Sequence, residues 1–166
     1  MKTMKEEKYI TLLSKIISVI SNNDHLLSNL SNTTALIKEC FDFHWVGFYL
    51  VDFHKNELFL GPFQGPIACT FIKYGQGVCG TAWKQETPII VDDVNKFKGH
   101  IACSSKTNSE IVIPIKIDYK IIGILDIDSI NYKGFDNTDL KYLSKIIDHL
   151  SLSTSHINTK EGISYV

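Results

Sequence analysis

No arginine occurs among the 166 residues of this chain, so all 17 of its basic residues are lysine. Arginine is enriched at nucleic-acid interfaces because its planar guanidinium binds phosphates and guanine with two hydrogen bonds. The formal net charge is −1, so lysine does not supply a cationic excess in its place. We therefore expect neither a nucleic-acid partner nor attraction to an anionic membrane surface.

Long apolar runs are also absent. The N-terminal stretch MKTMKEEKYITLLSKIISVI is interrupted by Ser14 and Lys15, and no small-residue cleavage site follows it, so it does not resemble a signal peptide. No segment approaches the roughly 20 apolar residues that span a bilayer. We therefore predict a cytoplasmic protein without a membrane segment. Because thiols stay reduced in the cytosol, the four cysteines are not expected to form a structural disulfide framework.

The remaining composition is that of a globular protein, with 44% apolar and 21% charged residues. The length suits one domain, residues 1–166. Helical periodicity covers about 4–41, a run of strands and loops covers about 43–130, and a closing helix covers about 138–153. This order predicts an α+β fold, in which the terminal helices pack on one face of an antiparallel sheet and a ligand pocket occupies the other.

Local signals add detail within that outline. IACTFI, residues 67–72, is expected to form the third strand, and GVCGTAWKQ contributes a short helix near 78–85. Two strands before the closing helix form a hairpin across Asp118 and Tyr119. Asp24 and Thr138 are candidate N-terminal caps for the second and the last helix.

The cysteines allow three interpretations. Cys40 lies at a helix end among apolar neighbours and is expected to be buried packing. Cys69, Cys79 and Cys103 lie beside glycine or polar residues, and they are candidate reactive thiols if His100 or the start of the short helix favours the thiolate. A zinc site of these three cysteines with His100 is possible by ligand type, but no C-x-x-C pair supports it.

Acidic residues interrupt an apolar strand in ILDIDS. Asp126 and Asp128 are two positions apart and therefore point to one face of the sheet. They mark either a solvated strand end or a site for a cation or a protonated amine. Glu110 begins the partner strand, and a two-residue turn would place it on the opposite face whereas an odd-length loop would place it on the same face. We predict the shared face.

Aromatic residues mark another strand, HWVGFYLV. Trp45 and Tyr49 are four positions apart, so they lie on one face of that strand. Such a pair is either ordinary core or the rigid wall of a small apolar pocket.

Six segments occur in order: HWVGFYL, LGPFQGPIACT, GQGVCGTAW, DDVNKFKGHIACSS, NSEIVIPI and IIGILDIDS. Together they resemble the free methionine-(R)-sulfoxide reductases, a family built on a GAF domain. The resemblance implies that Cys103 attacks the sulfoxide sulfur and becomes a sulfenic acid, which Cys69 resolves to a disulfide. Cys79 corresponds to a third family cysteine and is an alternative or secondary partner.

The same resemblance assigns the other site residues. Glu110, Asp126 and Asp128 correspond to an acidic pocket that donates a proton and holds the substrate ammonium group, while Trp45 and Tyr49 surround the methyl-sulfoxide end. Two positions depart from the family pattern, since Ser104 replaces an aspartate after the catalytic cysteine and Gln76 replaces a basic residue between two glycines.

The implied reaction needs no resident cofactor or metal, only an external dithiol such as thioredoxin. Apolar surface on the terminal helices suggests a homodimer. The main alternative is a non-catalytic GAF sensor of small molecules or of oxidation, and a zinc-stabilised interaction module is a third possibility.

Overall fold

Strands with alternating apolar residues form a six-stranded antiparallel sheet through the middle of the chain. The computed structural model describes residues 2–20, 25–101 and 103–153. The strands are β1 Trp45–Asp52, β2 Glu57–Gln64, β3 Phe71–Lys73, β4 Ile89–Val91, β5 Ser109–Ile117 and β6 Lys120–Ser129. They lie in the order β3-β2-β1-β6-β5-β4, so β1 and the β5–β6 hairpin occupy the middle of the sheet.

Amphipathic sequences form the helices α1 Met4–Ile20, α2 Leu26–Cys40, α3 Gly77–Gln85 and α4 Asn137–Ser153, and a short 3₁₀ turn spans Val94–Lys96. None of the described helices combines the length and the apolar character needed to cross a bilayer.

The two faces of the sheet are covered differently. Val46, Phe48 and Leu50 of β1 point toward the core formed with α1, α2 and α4. The alternate residues Trp45 and Tyr49 point to the other face, where they pack with α3 and the loops. This arrangement confirms the predicted α+β architecture, with terminal helices on one face.

Several local predictions need correction. The third strand covers only Phe71–Lys73, because the preceding loop 65–70 contains Pro66, has Gly65 at a φ of 141°, and leads into the cavity described below. Asp136 caps α4 instead of Thr138, since its carboxylate accepts hydrogen bonds from the backbone of the first helical turn. Asp24 lies outside the described residues.

Cys40 is half-buried and packs against the helix-side core, so it is less enclosed than predicted. Its thiol points to the backbone oxygen of Lys8 at 3.8 Å. Burial raises the pKa of this thiol, which makes Cys40 a poor candidate for a reactive group.

Candidate active site

A disulfide joins Cys69, in the loop between β2 and β3, to Cys103, in the loop before β5. The two Cα atoms are 5.4 Å apart although the residues are separated by 34 positions. Both residues are half-buried. Because their sulfur atoms are bonded to each other, they are not available as thiolate ligands in this state. The zinc set of Cys69, Cys79, Cys103 and His100 is therefore not assembled here.

The disulfide lies at a cavity between the sheet and α3, which we call the site cavity. Its lining includes the predicted residues Trp45, Tyr49, Cys79, Cys103, Glu110, Asp126 and Asp128, together with His100 and Ser104. The cavity has about 40 Å³ of space, which is room for a few water molecules.

Strand register brings the three acids together. Glu110 lies directly opposite Asp128, and Val112 lies opposite Asp126, so all three carboxyls are on the cavity face. The prediction that Glu110 shares this face is therefore confirmed. The turn itself contains two residues, which alone would put Glu110 on the other face.

A register irregularity in the hairpin explains the difference. Near the turn, Lys116 pairs with Ile121, but the next pair is Ile115 with Gly123, so Ile122 is an extra residue in β6. Such a bulge shifts the rest of the strand by one position. Sequence periodicity contains no clear signal for it.

Burial raises the pKa of all three carboxyls. Glu110 and Asp128 have pKa values well above the usual range, because of desolvation first and of the negative charge on Asp126 second. Desolvation raises the pKa of Asp126 to about 6, while hydrogen bonds from Cys79 and Glu110 hold it down. At neutral pH we therefore assign the charge to Asp126 and protons to Glu110 and Asp128.

Cys79 lies in the first turn of α3 and is buried. Its sulfur is 3.6 Å from Glu110 Oε1, and Asp126 is also within hydrogen-bond reach. Burial and these two carboxyls raise the pKa of the Cys79 thiol well above its usual range. The start of α3, which was one possible source of thiolate stabilisation, therefore does not outweigh burial and the two carboxyls at Cys79.

His100 does not supply the positive charge that the sequence suggested. Its Nδ1 atom lies 3.9 Å from Glu110 Oε2, and burial lowers the pKa of the imidazole. A neutral imidazole does not stabilise a thiolate by charge. The contact between His100 and Glu110 was not predicted from the sequence.

Trp45 and Tyr49 are both buried and line the site cavity, so they form the wall that was one of their two interpretations. The Trp45 indole donates a hydrogen bond to the Pro66 carbonyl at 3.1 Å, and the Tyr49 hydroxyl donates to the Cys69 carbonyl at 3.0 Å. Both bonds tie the wall to the loop that carries Cys69.

Gly47, between these two aromatic residues, is required by close packing. A Cβ atom at this position would lie 2.2 Å from the Trp45 ring and 2.6 Å from Phe63 Cβ. Gly47 was not among the predicted site residues, although a single glycine inside a strand often marks a close approach of this kind.

Comparisons with known proteins place the chain among its relatives. The GAF domain family matches residues 25–153. The chain is 56% identical over 146 residues to GAF domain-containing protein A of Dictyostelium discoideum, an alignment that covers 88% of this chain and 92% of that protein. It is 44% identical to the free methionine-R-sulfoxide reductase of Saccharomyces cerevisiae, over 86% of this chain and 83% of that protein.

Among solved structures, the free methionine-R-sulfoxide reductase of Neisseria meningitidis, in complex with its substrate, superposes with a TM-score of 0.90. It is 45% identical in sequence, and the alignment covers 93% of this chain and 92% of that one.

Proposed function

This chain belongs to the free methionine-R-sulfoxide reductase family of GAF domain proteins, and from this membership we propose that it reduces free L-methionine-(R)-sulfoxide to L-methionine with thiols. The observation that carries the proposal is the Cys69–Cys103 disulfide at the edge of a cavity lined by three carboxyls, of which those of Glu110 and Asp126 are buried. A sensor that only binds a small molecule would leave the disulfide without a role.

In the proposed reaction, the Cys103 thiolate attacks the sulfoxide sulfur. The attack forms a bond between the two sulfur atoms while the sulfoxide oxygen takes up a proton. The S–O bond and the new S–S bond then break, methionine leaves, and the hydroxyl ends on Cys103 as a sulfenic acid, so the thiolate is oxidised and the sulfoxide reduced by two electrons. The Cys69 thiol then attacks this sulfenic acid, which releases water and forms the disulfide. A dithiol, which we take to be that of thioredoxin, reduces the disulfide by thiol exchange and restores both cysteines.

The carboxyls divide into two roles by their protonation. Asp126 has the lowest pKa of the three and is charged at neutral pH, which suits the α-ammonium group of a free amino acid. Glu110 and Asp128 retain protons and are the candidate donors to the sulfoxide oxygen.

The remaining predicted residues support these steps. Trp45 and Tyr49 would surround the methyl-sulfoxide end of the substrate. Cys79 is a free thiol in this structure. Its role as a secondary disulfide partner stays a prediction.

The proposal extends to the location of the protein in the cell and to its oligomeric state. A thioredoxin-dependent cycle suits the cytosol, where thioredoxin and glutathione keep protein thiols reduced. The protein forms a homodimer through its terminal helices, where the described residues include apolar side chains that remain exposed.

The test is turnover with thioredoxin and its reductase on free methionine-(R)-sulfoxide, compared with the S epimer and with a peptide-bound sulfoxide. We expect consumption of reductant only with the free R epimer. Cys103→Ser should abolish turnover, and Cys69→Ser should release about one methionine per protein and then stop. Cys40→Ser is the matched control and should retain activity.

Normal turnover by the Cys103→Ser protein would show that another thiol is the nucleophile. Equal activity on the peptide-bound sulfoxide would contradict the assignment of Asp126 to the free ammonium group.

A further inference from the structure

Three potential metal ligands from different elements meet inside the site cavity. Cys79 of α3, Glu110 of β5 and Asp126 of β6 each place one ligand atom within 4.8 Å of the others. All three residues are buried. This set differs from the zinc ligands suggested by the sequence, since it uses two carboxylates and only one cysteine. It also excludes both cysteines of the disulfide.

The spacing suits a small tetrahedral ion. With Zn–S near 2.3 Å and Zn–O near 2.1 Å, a tetrahedral site places sulfur and oxygen about 3.6 Å apart. The observed distance from Cys79 Sγ to Glu110 Oε1 is 3.6 Å. These two atoms could therefore bind one ion without a change in their separation, and Asp126 needs only a small side-chain movement to join them.

One oxygen of Asp126 provides a second, independent observation. Asp126 Oδ1 is buried and has no hydrogen-bond partner among the described residues. A buried carboxylate oxygen without a partner is costly, and a bound cation would satisfy it.

We propose that the reduced protein binds one thiophilic divalent cation, Zn²⁺ before all others, through Cys79, Glu110 and Asp126. Binding converts the Cys79 thiol to a thiolate and releases its proton, together with any proton held on the carboxyls. The single sulfur ligand selects Zn²⁺ over Mg²⁺ and Ca²⁺, which prefer oxygen ligands alone.

If the protein has the proposed function, binding of the cation inhibits it reversibly. The ion would occupy Asp126, to which we assign the substrate ammonium group, and would remove the proton from Glu110. Zinc and substrate should therefore exclude each other.

Cobalt spectroscopy tests the site without any measurement of activity. The protein is first changed at Cys69→Ser and Cys103→Ser, so that Cys40 and Cys79 are its only thiols. Titration with Co²⁺ should produce a thiolate-to-cobalt absorption in the near ultraviolet that saturates at one equivalent and disappears when Zn²⁺ is added. Adding Cys79→Ser should abolish the band, and adding Cys40→Ser should leave it unchanged.

A second variant protects this test against misfolding of the Cys79→Ser protein. Asp126→Asn keeps the thiol and should weaken Co²⁺ binding by about tenfold or more, since loss of even an outer-shell partner commonly costs that much. The proposal is overturned if no band forms, if the band depends on Cys40, or if Asp126→Asn leaves the affinity unchanged.

Inhibition is measured separately on the wild-type protein. Micromolar Zn²⁺ should raise the apparent KM for the sulfoxide, and a chelator should reverse the effect. A cobalt band in a protein without reductase activity would support the metal site and contradict the proposed function, so the two failures remain distinguishable.

Discussion

At the scale of single residues, Asp126 shows how the site and the stability of the fold oppose each other. Its strand is rich in isoleucine and leucine, and the carboxyl is desolvated near two other acids. A functional site of this kind keeps a charge where a stable core would have none. The cost should be measurable as a pH-dependent loss of stability.

We expect Asp126→Asn to stabilise the protein above pH 6. The folded pKa of about 6 exceeds the ordinary value of 3.8, so the folded state binds its proton more tightly than the unfolded state. The contribution of Asp126 to stability is therefore highest below pH 4 and falls as the pH rises through about 6. The shift corresponds to about 3 kcal/mol at most. Urea unfolding between pH 4 and pH 8, with a chelator present, measures the effect.

Asp148→Asn is the matched control, because Asp148 is exposed on α4 and should show no comparable gain. A gain for Asp126→Asn that is equal at all pH values would contradict the assigned titration. Asp126→Asn should also raise KM for the sulfoxide, since it removes the proposed partner of the substrate ammonium group.

At the scale of elements, helix α4 begins where a side chain satisfies its free backbone N–H groups. Asp136 Oδ1 accepts from the backbone N–H of Thr138 at 2.6 Å and of Asp139 at 3.3 Å. Asp136 also forms a salt bridge of 2.9 Å with Lys5 of α1. Both Thr138 and Asp136 are common cap residues, and the sequence alone favoured the wrong one.

We expect Asp136→Ala to lower the free energy of unfolding by about 1 kcal/mol, because it leaves the first-turn N–H groups of α4 without a cap. Asp136→Asn should retain most of the stability, since asparagine caps as well and only the partly exposed ion pair with Lys5 is lost. Thr138→Ala should change stability little. Urea unfolding of the three variants at neutral pH checks this order, and a larger loss for Thr138→Ala would refute it.

At the scale of the whole molecule, the sheet separates the main apolar core from the candidate active site. The helix side contains the larger continuous apolar core, whereas the other side carries the site cavity and the disulfide. Val19 on α1 and Leu27 on α2 remain 40% and 51% exposed. This surface belongs to the stable helical layer, so a second copy could pack there without disturbing the site.

We expect the protein to sediment as a dimer, at twice its chain mass of 18.8 kDa. Val19→Lys and Leu27→Lys together should shift it toward the monomer, because lysine ammonium groups are costly to bury at an apolar contact. Tyr119→Lys, at the exposed tip of the β5–β6 hairpin, is the control. This substitution should leave the dimer intact. Sedimentation velocity over a range of concentrations measures the change. A wild-type monomer, or a dimer that both helix substitutions leave intact, would contradict the proposal.

The sequence by itself determined the elements and their faces. The apolar spacing of α1 and α4 and the alternation along β1 are local properties, and they place Trp45 and Tyr49 on one face before any tertiary contact is known. The same two-residue periodicity puts Asp126 and Asp128 together. Motif resemblance then indicated the roles of the cysteines.

Only the tertiary structure decided how these parts meet. The bulge at Ile122 moves Glu110 to the face of the other acids, and α3 turns Cys79 toward them and not toward a bridging partner. Cys69 and Cys103 approach each other because the loop before β3 and the loop before β5 meet on the cavity side of the sheet. These outcomes depend on strand register, burial and contacts between distant segments. The pKa of a desolvated carboxyl likewise depends on neighbours that the local sequence pattern does not specify.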